Sequence, residues 1–81
     1  MKGWNYRIVM HEGFEGRYDP YPAIHEVYYE DDGSIRSWSN QPIYLAANDA
    51  EELRGDIDLI IQAFDRPILT EMDGKLVELA Q

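Results

Sequence analysis

The chain contains no cysteine, which removes disulfide scaffolds, zinc–thiolate centres and thiol nucleophiles together. Basic residues are scarce: 7 Lys and Arg stand against 16 Asp and Glu, for a formal net charge of −9. Gripping nucleic acid through its phosphates needs a basic face, so this balance argues against direct nucleic-acid binding. No apolar run approaches the ~18–20 residues of a membrane-spanning helix. The opening MKGWNYRIVMHEG has one Lys and no signal-type apolar core. The expected setting is therefore cytoplasmic, with no membrane contact.

Chemical motifs are equally sparse. The six glycines are scattered singly, so no loop is built to cradle a phosphate. HExxH is missing, and Ser34, Ser37 and Ser39 lack the strand–turn–helix elbow of a serine nucleophile. Asp31-Asp32-Gly33 is too short for a calcium loop, whose ligands are spaced over about twelve residues. Sixteen carboxylates make close acidic pairs inevitable by chance, so such pairs do not signal acid–base catalysis. No cofactor is implied, and catalysis is not the leading expectation.

What is present suits one small globular domain over residues 1–81, with 44% hydrophobic and 12% aromatic content. The most directive stretch is residues 24–42, IHEVYYEDDGSIRSWSNQP. Two β-rich runs flank Asp31-Asp32-Gly33, where a chain reversal needs a glycine at positive φ. With a three-residue turn and a glycine bulge, Val27, Tyr29 and Ile35 share one face, and Glu26, Tyr28, Arg36 and Trp38 share the other. A two-residue Asp32-Gly33 turn changes that pairing. In the first register Arg36 lies across Tyr28 as a cation–π pair.

Upstream, Trp4, Tyr6, Ile8 and Met10 alternate with Asn5, Arg7, Val9 and His11, which predicts a strand with one apolar and one mostly polar face. Residues 12–22, with two glycines and two prolines, read as a loop. Its Phe14, Tyr18 and Tyr21 either fold over the sheet and bury its outer aromatics or leave them exposed.

Residues 42–47 are either an edge strand or an extended connection. A helix follows, with Asn48 or Asp49 as N-cap and Glu51 and Glu52 in the first turn. Ala50, Leu53, Ile57, Ile60, Ile61 and Phe64 form its predicted apolar stripe, and Pro67 stops it. Gly55 marks either a close approach to the sheet or a tolerated weakness. The outward face is acidic, relieved by an Arg54–Asp58 pair at i,i+4. It is either a solvated face or a dock for a basic partner. Finally, alternating runs flank Asp73-Gly74, the strongest short hairpin signal, against the alternative of a frayed tail. The expected fold is α+β: a small antiparallel sheet of three to five strands packed by one amphipathic helix, in the order β-β-β-α with a C-terminal hairpin.

Two groups of residues are candidate sites. His-Glu occurs at residues 11–12 and 25–26. If the first strand pairs with the first hairpin arm, the two imidazoles approach and can hold a divalent metal with Glu12, Glu26 or Asp19. Adjacent residues of a strand point to opposite faces, however, so neither dipeptide is a chelate by itself and no metal ligand is assigned. The second group is the contact surface of Tyr28, Arg36 and Trp38, with Glu26 at the rim. Exposed Tyr, Trp and Arg are the side chains enriched at interface hot spots.

The strings WNYRIV, IHEVYY…DGSI…SWS…P and AEELRGDIDLIIQAFDRPIL resemble a family of small bacterial proteins, over most of residues 4–69. The resemblance implies no activity and carries over no site residues. A weaker likeness, of element order alone, is to HicB-type antitoxin domains, in which three strands precede a helix. This chain departs from them in lacking their Gly-Cys segment and DNA-binding tail, and in its long loop before the hairpin. Analogy of fold transfers no function.

The functional expectation is a non-enzymatic accessory domain acting on an unidentified protein partner or on itself as a homodimer. The alternatives are a small metal-dependent binder or enzyme using His11 and His25, and an acidic mimic of nucleic acid that inhibits a DNA-binding protein.

Overall fold

The alternating residues 4–11 fall in the first strand, β1 (Gly3–His11), which lies at the centre of the sheet. The structure is a computed structural model, described over residues 3–12 and 19–79. The other strands are β2 (Tyr21–Tyr29), β3 (Ile35–Trp38), β4 (Leu69–Met72) and β5 (Lys75–Glu78). Helix α1 (Ala50–Gln62) and one 3₁₀ turn (Ala63–Asp65) lie between β3 and β4. The strands form one sheet in the order β3-β2-β1-β4-β5, curled as a half-barrel. Among the described residues no helix is long and apolar enough to cross a membrane.

The α+β class is as expected, but the sheet is mixed, because β1 and β4 pair in parallel through Val9↔Leu69 and Met10↔Thr70. The reason is topological. β3 runs parallel to β1, since both are antiparallel to β2. The chain then descends through α1 and re-enters the sheet beyond β1. A helical crossover returns a strand in the direction of the one it left, so β4 must lie parallel to β1. The C-terminal hairpin exists, and Met72↔Lys75 closes a two-residue turn. Asp73 (φ 54°) and Gly74 (φ 79°) both occupy the left-handed region, as a type I′ turn requires.

Helix α1 begins where Asp49 Oδ1 accepts a hydrogen bond from the Glu52 amide at 2.8 Å. It gives way to the 3₁₀ turn, and Arg66 (φ −111°, ψ 156°) is already extended before Pro67. Its packed stripe differs from the expected one. Ile60 and Ala63 face the sheet with Tyr6 and Ile8, Ala63 being fully buried. Ile61 (56% exposed) and Phe64 (68% exposed) point to solvent. Tightening into a 3₁₀ turn rotates the last residues, so that Ala63 replaces Phe64 in the core. Gly55 has no atom near the position of a Cβ, which removes the close-approach explanation for it. The Arg54–Asp58 pair is present at 3.7 Å on an exposed face.

Residues 42–47 are an extended connection rather than a strand. The Ile43 amide donates to the Ile24 carbonyl at 3.0 Å, and the Ile43 side chain packs beneath the sheet with Ile24. The loop after β1 is shorter than the sequence suggested: Tyr21 and Pro22 already belong to β2, opposite His11 and Met10. Phe14 and Tyr18 lie outside the described residues.

Candidate functional site

The hairpin turn decides where the candidate contact residues fall. The Gly33 amide donates to the Glu30 carbonyl at 3.0 Å and the Glu30 amide to the Ser34 carbonyl at 2.8 Å. With Gly33 at φ 88°, this is the three-residue turn with a glycine bulge. Asp32 Oδ1 fastens it by accepting from the Ser34 amide and hydroxyl at 2.9 and 2.6 Å. Those bonds hold the Asp32 carboxyl below its usual pKa, the side-chain bond contributing most.

A second irregularity follows. Tyr29 faces Ile35, but Tyr28 faces Ser37 and Val27 faces Trp38, so Arg36 is an extra residue on β3. A one-residue slip exchanges faces. Trp38 therefore packs against the cluster of Val9, Val27, Tyr29, Leu69 and Leu76. Glu26 and Tyr28 alternate with Val27 and lie on the opposite, helix side. Trp38 is thereby parted from Glu26 and Tyr28, and Ser37, not Arg36, stands across from Tyr28, although the Arg36 charge still acts on the Tyr28 hydroxyl. On the helix side the Tyr28 hydroxyl donates to Glu26 Oε2 at 2.5 Å. This bond to a carboxylate is the main cause of its raised pKa.

On the face away from the helix the curled sheet encloses an open cleft of ≈ 700 Å³. Its floor is Val9, His11 and His25, one wall carries Arg36, Trp38 and Asn40, and the other Thr70, Glu71 and Asp73. The walls come from opposite ends of the sheet, from β3 and from the β4–β5 turn. Only curvature brings them to one cavity.

The histidines do meet. His11 Nε2 lies 2.7 Å from His25 Nε2. The ring centroids are 4.9 Å apart with planes inclined at 30°. That separation is about the nitrogen contact lengthened by a ring radius at each end, so the two Nε2 atoms point at each other. His25 is 1% exposed, and its Nδ1 donates to the Ser39 carbonyl at 2.9 Å and the Ser39 hydroxyl oxygen at 3.0 Å. A carbonyl only accepts, which places a proton on Nδ1. Neutral His25 therefore presents the Nε2 lone pair to its neighbour, and His11 must supply the intervening N–H. Burial first, and the neighbouring His11 last, depress the His25 pKa, against the opposing bond to Ser39. His11 also lies parallel to the Tyr21 ring, at 5.1 Å and 10°. Among the described residues no group of three or more His, Cys, Asp or Glu converges on a point. Glu26, on the other face, is not beside the pair.

A buried polar group next to this floor went unanticipated. Arg7, opposite His25, is buried. Its Nη1 donates to the Tyr29 hydroxyl at 3.0 Å and its Nη2 to the Pro67 carbonyl at 2.8 Å. The Tyr29 hydroxyl donates onward to Asn5 Oδ1 at 2.7 Å. Arg7 Nε has no hydrogen-bond partner among the described residues. This clasp ties β1 to β2 and to the start of β4, where only two residue pairs register the parallel ladder. The polar half of β1 was legible, but its burial was not, because the sequence does not reveal that the sheet curls over it.

No family model, curated protein or solved structure matches this chain.

Proposed function

We propose that this chain is a non-enzymatic binding module that receives a segment of a protein partner in the cleft between β3 and the β4–β5 turn. One observation carries the reading: a concavity of ≈ 700 Å³ is lined by Arg36 and Trp38 of β3 on one side and by Glu71 of β4 and Asp73 of the β4–β5 turn on the other. An aromatic and an arginine in a recess, with polar groups around it, is the composition of an interface hot spot. The helix side offers instead a Tyr28 already engaged by Glu26. A metal-dependent role for His11 and His25 is the second reading, favoured by their converging nitrogens.

The test is affinity capture of the tagged chain from its native host, together with folded Trp38→Ala and Tyr28→Ala variants and light scattering for self-association. A partner recovered in near-equal amount is expected to be lost with Trp38→Ala and retained with Tyr28→Ala. If the Trp38→Ala protein keeps its partner, or Tyr28→Ala alone releases it, the cleft is not the binding surface. A dimer dissolved by Trp38→Ala identifies the partner as a second copy. A chain that is monomeric and partner-free overturns the reading.

A further inference from the structure

We infer that His11 and His25 form a binding site for one divalent transition-metal ion, open towards the cleft. Two features of the pair point this way. The first is the head-on approach of two ring nitrogens at 2.7 Å, two possible metal-ligating atoms that share a single N–H between them. The second is the anchoring of His25, whose Nδ1–H is held by the Ser39 carbonyl. Ligating histidines characteristically spend their other ring N–H in this way, which fixes the tautomer and aims Nε2.

The ion's class follows from the donors. Imidazole suits nickel, copper, cobalt and zinc, whereas magnesium and calcium take oxygen ligands. At bond lengths of about 2.0–2.1 Å and a tetrahedral angle, two ligating nitrogens sit roughly 3.3 Å apart. The pair therefore opens slightly when the ion takes the place of the bridging N–H, and the His11 proton moves to Nδ1, giving the other tautomer of the neutral ring. His25 is fixed, so the movement falls to His11, which is half-exposed and slides on the Tyr21 ring. Two protein ligands leave coordination positions free, and no third such residue among the described ones joins the pair. The inference rests on the cleft reading for what fills those positions: water in the free protein, and a carboxylate or imidazole of the bound segment in the complex.

The decisive experiment titrates the chelator-treated full chain with nickel or zinc alone, in excess magnesium, by calorimetry and by NMR of the histidine rings. Expected are one ion per chain, shifts of both histidines' Nε2 signals, and affinity weakened about tenfold or more by His11→Ala or His11→Gln. Both variants change a half-exposed side chain and leave buried His25 in place. No saturable binding, competition by magnesium, or unchanged affinity in both variants overturns the site and places any bound ion on the surface carboxylates. Metal titration and partner capture, read on the same protein, separate this inference from the reading beneath it. A bound metal with no partner sinks only the protein-binding module, and a retained partner without metal binding sinks only the metal site.

Discussion

On the helix side of the sheet, Tyr6, Ile8 and Ala63 close an apolar core with Ile24, Ile43, Ile60 and Ile68 packed around it. On the other side, the same strand contributes Val9 to an apolar cluster and, on either side of it, Arg7 and His11 to polar contacts. A helix covers the first face. The second is covered by the sheet's own curvature, and it holds the largest of the fully buried side chains, Leu69, His25 and Val27. Burying a cation and an imidazole costs free energy that apolar side chains of the same size would not. The helix side does what packing requires, whereas the cleft side carries polar groups that packing alone does not call for. Departures of that kind concentrate at functional sites.

The largest expected effect tests which face is the principal core. Leu69 is 2% exposed and lies where β4 meets β1, so Leu69→Ala should destabilise by about 2–5 kcal/mol. Ile60 on the helix is only half-buried, and Ile60→Ala should cost distinctly less. Urea unfolding of the two variants checks the order. A costlier Ile60→Ala would make the helix side the principal core and reverse the comparison.

A smaller effect concerns the Arg7 clasp. Tyr29→Phe leaves Arg7 Nη1 and Asn5 Oδ1 without the hydroxyl that joins them, and should cost about 1–3 kcal/mol. Arg7→Met removes the buried charge itself while keeping an unbranched stem. Replacement of a buried charge by apolar volume is often neutral or stabilising, so this variant should be the more stable of the two. If Arg7→Met proves worse by chemical denaturation, the guanidinium holds the approach to β4 in place more firmly than its two hydrogen bonds suggest.

The same contrast explains what could be read from the residues. The alternation of β1, the Asp49 cap, the Pro67 stop and the Asp73-Gly74 turn are local and follow from local chemistry. The parallel β1–β4 pair was not legible, because it depends on where the crossover helix delivers the chain. Nor was the bulge at Arg36, since a strand with either register has equally plausible side chains on each face. That single residue moved Trp38 from the expected surface into the cleft. The meeting of His11 and His25 was legible conditionally, and the β1–β2 pairing supplies the condition.

The smallest expected effect is a pH dependence seated on the cleft side. Burial lowers the His25 pKa from the ordinary 6.5. Below pH 6.5 the unfolded chain takes up a proton there that the folded protein resists. Stability is therefore full above that pH and declines as the solution is acidified towards the folded-state value. Unfolding midpoints of the metal-free protein between pH 7.5 and 5.5 measure it. Asp32 does not confuse the result, because its lowered pKa withdraws stability only as pH falls below the unfolded carboxyl's 3.8. Burial is the first cause for His25 and His11 only the last, so His11→Ala should retain most of the decline. If the decline vanishes with His11→Ala, the pair and not the burial governs the titration, and the two rings act as one proton-sharing unit. A midpoint that stays level across this window in the unaltered protein would mean that the polar floor of the cleft is hydrated more freely than its 1% exposure at His25 implies.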